Sequence, residues 1–185
     1  MTAESGGELA RLFEAVGSAA ASGRGPSPVH LWNPANCGDI DIRIARDGTW
    51  FYQATPIGRP ALVRLFSTVL RRDDDGFWLV TPIEKLRVQV EDAPFLAIGL
   101  ERDEGAIRFA TNVGDVVEAG PEHTIRVETA AGGEPRPYVH VRGALEALIA
   151  RPVFYELVSL GEERGGRLVV RSNGAMFDLG ALEGA

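Results

Sequence analysis

Hydrophobic and polar positions recur along this chain with two different periods, and the changes of period mark its elements. Leu9, Leu12, Phe13 and Val16 fall at i, i+3, i+4 and i+7, which predicts a short amphipathic helix near the N-terminus. Gly17 to Pro28 is small, flexible and proline-ended, and reads as a linker. Ile40, Ile42 and Ile44 then alternate with polar residues, as in a strand with one buried face. Asp47-Gly48 supplies a tight turn into a partner strand at Trp50 to Gln53. Thr55 to Gly58 breaks that strand, and Pro60 opens a helix whose stripe runs Leu62, Leu65, Phe66, Val69, Leu70. Arg71 and Arg72 suit its negative end, and Asp73 to Gly76 stops it.

The period returns to two at Phe77 to Thr81 and at Leu86, Val88 and Val90. A meander follows, with strands expected near 95–101, 106–111 and 123–129, then an exposed loop at 130–137 and a strand at Tyr138 to Val141. Leu145, Leu148 and Ile149 carry helical spacing, so 142–161 reads as helix, with Pro152 starting or kinking its second part. Asn173-Gly174 predicts a closing hairpin. Arg59 to Ser67 aligns with Arg151 to Ser159 at four identical positions, Leu65 over Leu157. A strand precedes and another follows each copy, which argues for duplication. The fold expectation is α+β: duplicated strand–helix–strand units in two small tandem domains behind an N-terminal helix. The boundaries are 1–29 for helix and linker, 30–95 for the first domain and 96–185 for the second.

Composition narrows the classes. With 185 residues, 45% of them hydrophobic, the chain can bury a core. No apolar run approaches the ~20 residues of a membrane span, and the first twenty residues lack a secretory pattern. One cysteine excludes an internal disulfide and fits a reducing compartment, so a cytoplasmic location is expected. A net charge of -7 argues against nonspecific nucleic-acid binding. Cys37 lacks a zinc-ligand pattern, and no metal or cofactor is expected. Walker, nucleophile-elbow and zincin motifs are absent, so no catalytic residue is nominated.

Several motifs together resemble one bacterial family, domain of unknown function 1285. They are Asp47 to Tyr52, Thr55 to Arg59, Leu62 to Ser67, Asp73 to Gly76, Leu79 to Lys85 and Val90 to Phe95. Weaker matches continue at Thr111 to Asp115, Ala119 to His123 and Val153 to Val158. The resemblance implies a duplicated α+β fold with a pleckstrin-homology-like second domain. It further implies a ligand site between the domains and a role in signal transduction. It places glycine where Ala54 stands.

The densest polar cluster is Thr81, Glu84 and Lys85, with Arg59 across the helix. Lys85 is the single lysine among 19 basic residues. Arg59 and Lys85 suit an anionic group, guanidinium as fork and ammonium as point charge. The bland alternative is a structural Glu84–Arg59 pair beside an exposed Lys85. Arg142, Tyr155 and Ser172 are the corresponding candidates in the second half. Trp50, Tyr52 and Phe77 are candidate pocket walls, though core packing is the commoner fate of such residues. These residues define the expectation of a non-enzymatic ligand-binding or regulatory module for a small anionic or nucleotide-like ligand at the domain interface. A protein-interaction adaptor and an enzyme of unrecognised type are the alternatives.

Overall fold

The structure is a computed structural model that describes residues 4–20 and 25–182. The chain divides into two compact units, residues 1–91 and 92–185, each with its own sheet and core. Among the described residues no helix is long and apolar enough to cross a membrane.

In the first unit, α1 (Glu4–Ala20) runs past the predicted stripe and takes in Gly17 to Ala20; residues 21–24 of the expected linker lie outside the described residues. Leu12 and Val16 are fully buried, while Phe13 remains half-exposed. The sheet is built from β1 (Cys37–Ile44), β2 (Trp50–Tyr52), β3 (Thr55–Pro56), β4 (Leu70–Asp73), β5 (Gly76–Val80) and β6 (Lys85–Val90), with α2 (Pro60–Ser67) between β3 and β4. Its order is β3-β2-β1-β6-β5-β4, antiparallel except where β1 runs parallel to β6. The predicted alternation holds: Ile40, Ile42 and Ile44 are buried on one face, together with Trp50, Leu79, Leu86 and Val88. α1 packs against α2, whose Phe66 is fully buried.

The α2 stripe overran its helix. α2 stops at Ser67, and Val69 to Arg72 belong to a turn and to β4. Leu70 is buried opposite Leu79 across a hairpin that turns at Asp74-Asp75, where Gly76 takes φ +137°. The two apolar positions at 69 and 70 satisfy either period, and the cross-strand partner decided the outcome.

The second unit contains β7 (Phe95–Asp103), β8 (Ala106–Thr111), β9 (Val116–Glu118), β10 (Ile125–Thr129), β11 (Pro135–Arg142), β12 (Leu145–Ile149), α3 (Arg151–Ser159), β13 (Glu162–Arg164), β14 (Arg167–Ser172) and β15 (Ala175–Ala181). Six strands pair in the order β10-β11-β12-β7-β8-β9, with β12 parallel to β7. The other three form an antiparallel sheet β13-β14-β15. α3 packs on β7 and β14, and β15 lies alongside β10 without a hydrogen-bonded ladder. The helix expected over 142–149 is instead strand β12. Leu145, Ala147 and Ile149 are buried at alternate positions, and Gly143 turns the chain at φ +54°. Pro152 does sit in the first turn of α3.

The element order around the two helices agrees: an antiparallel hairpin before, a three-stranded antiparallel meander after. The sequence alignment of the two helices holds at their ends: Thr68 N–H donates to Leu65 O as Leu160 N–H donates to Leu157 O, and the Ser67 and Ser159 hydroxyls donate to Arg64 O and Glu156 O. Only the starts are offset by one residue, α2 beginning at Pro60 and α3 at Arg151. Leu157 is inaccessible, whereas on α2 Phe66 is the inaccessible residue and Leu65 is half-buried.

Candidate functional site

Thr81, Glu84 and Lys85 share one tight turn between β5 and β6. Thr81 N–H donates to Glu84 O at 2.8 Å, and Glu84 N–H donates to the Thr81 hydroxyl at 3.2 Å. Pro82 ends β5 by removing a ladder donor, which is why the chain bends here. The Glu84 side chain is 5% exposed and its ion-pair partner is Arg11 of α1, at 3.3 Å. Arg59, the partner expected from sequence, is not involved. Nothing local could have signalled Arg11, which is 73 residues away.

Lys85 lies in a sheet-face network. Its ammonium donates to Asp73 at 2.5 Å and sits 4.1 Å over the Trp78 ring. Arg71 also binds Asp73, and through Nη1 it donates to the carbonyls of Val29 and Trp32. Arg87 stacks on Trp78 at 4.3 Å and pairs with Asp75. Burial pushes the Asp73 carboxyl up, but hydrogen bonds from Arg71 and Lys85 outweigh it and hold the group below its ordinary value. Arg71 and Lys85 share the Asp73 carboxylate and Arg87 holds Asp75, so every cation here already has an anionic partner.

Arg59 is placed differently. It caps the start of α2 through its backbone, its side chain is exposed, and it has no ion-pair partner among the described residues. Two adjoining hollows share Arg59, Leu9 and Leu62 as walls. One, of about 640 Å³, runs between α1 and α2 along Phe13, Ala61 and Leu65. The other, of about 270 Å³, is bounded by Tyr52, Thr55 and Gly58. Together they form a groove with an apolar length and one basic, polar end. Burial raises the Tyr52 phenol, helped by the Glu8 carboxylate to which its hydroxyl donates at 3.3 Å. Of the aromatic candidates, Tyr52 lines the groove, Trp50 is buried in the core and Phe77 lies under Arg72.

In the second unit the three candidates are not gathered. Arg142 pairs with Asp115 at 2.5 Å and covers the Phe95 ring. Tyr155 is exposed on α3. Ser172 is fully buried, accepting from Ile107 N–H at 2.8 Å and donating to Ala119 O at 2.7 Å, so it ties β14 to β8 and to the chain after β9. A cavity of about 810 Å³ opens between β10 and β15, walled by Ile125, Val127, Phe154, Val158, Phe177 and Leu179. His123 and His140 have rings 5.5 Å apart, and each is held by a backbone carbonyl. Among the described residues no three His, Cys, Asp or Glu side chains gather as a metal site would require.

Family models match both halves of the chain. Residues 27–93 match the N-terminal domain of the domain of unknown function DUF1285, and residues 94–179 match the C-terminal domain of the protein of unknown function DUF1285. The chain belongs to the DUF1285 family. It is similar to the crystal structure of a DUF1285 family protein from Silicibacter pomeroyi DSS-3, with 54% identity and a TM-score of 0.83 over 90% of this chain and 94% of that one. A DUF1285 family protein from Shewanella baltica OS155 is 27% identical, with a TM-score of 0.53 over 65% of this chain and 91% of that one. No curated protein matches the chain. Family membership accounts for the ordered series of motifs between Asp47 and Phe95, and the relatives are bacterial.

Proposed function

We propose that this DUF1285 protein is a non-enzymatic ligand-binding module whose α1–α2 groove takes a small anion with an apolar portion. The observation that carries this reading is Arg59: an exposed guanidinium without a partner among the described residues, at the basic end of an apolar groove. Lys85 and Arg142 are each engaged by a carboxylate, so neither offers a free charge. In the first turn of α2 the proline has no N–H and Leu62 N–H donates to Arg59 O, which leaves the Ala61 N–H beside Arg59 to favour the same sign of ligand. Combined hollows of about 640 and 270 Å³ match the size of small-molecule sites. The local field, not the net charge of -7, governs such binding. A role in signal transduction, and a pleckstrin-homology-like character for the second unit, remain part of the proposal. Its two sheets and single helix support the latter.

Thermal shift of the full chain tests the groove. Octanoate and AMP are the charged probes, octanol and inorganic phosphate the controls that lack one half of the chemistry. A charged probe should raise the melting temperature by mass action, and the controls should not. Arg59→Ala should remove the shift and leave the unliganded melting point unchanged. Lys85→Ala should lower the unliganded melting point by stranding Asp73, yet keep the response. An unchanged shift in Arg59→Ala would overturn the reading.

A further inference from the structure

We propose that the occupant of the α1–α2 groove is an aliphatic monocarboxylate of about eight carbons, its carboxylate on Arg59 and its tail laid between the two helices. The inference rests on the ligand-binding reading above and names the class of molecule. It begins from an apolar stripe wider than the contact it makes. On α1, Leu12 and Val16 are inaccessible, whereas Phe13 is 49% exposed and Leu9 is half-buried. On α2, Phe66 is sealed while Leu62 and Leu65 stay half-buried and Ala61 is exposed. The uncovered residues, with Ala10, wall the larger hollow. Apolar side chains left in water on two neighbouring helices gain burial when a hydrocarbon lies across them.

The lining selects hydrocarbon over a nucleobase or a sugar. Arg59 apart, every side chain on the larger hollow is carbon alone: Leu9, Ala10, Phe13, Ala61, Leu62 and Leu65. A base edge or a ribose hydroxyl buried there would lose its bonds to water and find no side-chain partner. The head end selects one negative charge rather than two. Arg59 is joined there by the Ala61 N–H. Tyr52, on the smaller hollow, donates its hydroxyl to the Glu8 carboxylate at 3.3 Å. An acidic group this close opposes a doubly charged phosphate monoester more than a carboxylate. The planar carboxylate also matches the guanidinium fork with two parallel bonds.

Helix geometry sets the length. Leu9, Arg59 and Leu62 line both hollows, while Phe13 and Leu65 line only the larger one, so the tail runs from Arg59 toward Leu65. At ~1.5 Å of rise per residue, Arg59 and Leu65 are separated by about 9 Å along α2. An extended chain advances ~1.3 Å per carbon, from a C–C bond of ~1.5 Å at the tetrahedral angle, so about seven carbons beyond the carboxyl carbon reach Leu65. Ala10 and Ala61 wall that path with a single methyl each, and a larger side chain at either closes it.

Calorimetric titration of the full chain with AMP and with the straight-chain acids from butanoate to dodecanoate tests this, each acid kept below its micelle range. Affinity should rise roughly two- to four-fold per added methylene, the span from half to full burial of a CH₂, and level off near octanoate. Arg59→Ala should weaken every acid by one factor, roughly ten-fold or more, whatever its length. Arg59→Lys, which keeps the charge without the fork, should recover part of that loss. Ala10→Phe and Ala61→Phe should leave the unliganded melting point unchanged, spare butanoate and remove the gain from longer tails. AMP that binds through Arg59 where octanoate does not bind would overturn the aliphatic class and keep the anion groove. Octanoate binding Arg59→Ala as well as the unaltered chain, or no response to any probe, would overturn both. A length dependence that survives both phenylalanine variants, or none at all, would overturn the tail's place between the helices.

Discussion

Ala54 holds φ at +62° beside Gln53 at +47°, a left-handed pair where a Cβ costs about 1–2 kcal/mol per residue. Glycine is the residue the family resemblance places at 54, and the backbone explains why. Ala54→Gly should raise stability by about 1 kcal/mol in denaturant unfolding, net of the chain entropy glycine adds. Lys85 was visible in the sequence as the only lysine, and Asp73 as part of a turn. That they meet was not visible, because the hairpin joining them depends on β4 forming at all. Asp73 has a depressed folded pKa, so its contribution to stability is complete above about pH 4 and is lost as pH falls through the lower folded value. Asp73→Asn should therefore reduce stability at neutral pH and flatten the decline on the acid side. An unaltered acid limb in denaturant titrations at several pH values would show that the network contributes nothing.

At the scale of elements, strands with clean alternation were legible and their boundaries fell close to those expected. The failures at 69–72 and 145–149 share a cause. Short apolar runs satisfy a period of two as well as one of 3.6, and a helix needs no distant partner whereas a strand does. Leu70 found Leu79, and Tyr138 found Leu148, across ladders the local sequence does not specify. Alanine substitutions on α2 show which of its positions faces the core. Phe66→Ala should cost ~3–5 kcal/mol through lost burial and a cavity. Leu65→Ala, half-exposed to the groove, should cost only about 1–2 kcal/mol. A larger loss at Leu65 than at Phe66 in urea unfolding would place the core face of α2 at Leu65 instead.

At the scale of the whole molecule, each unit keeps its sheet ladders within its own boundaries. Residues 92–182 expressed alone should therefore unfold in one cooperative denaturant transition, and a broad, non-cooperative loss of signal would contradict that. Within this second unit, Tyr138 donates to Asp92 at 2.7 Å. The sequence by itself determined the two-unit plan, the N-terminal helix, the β1–β2 and β14–β15 hairpins and the apolar face of β1. Those depend on local period, turn residues and composition, which neighbouring residues carry in full. Tertiary structure alone decided which polar residues are used up and which are free. Glu84 is neutralised by a helix far away in the chain, Lys85 by a carboxylate across a hairpin, and Ser172 by the carbonyl and amide of two distant segments, while Arg59 is left open. Side-chain pairing is set by distance in space, and no pattern along the chain records that distance.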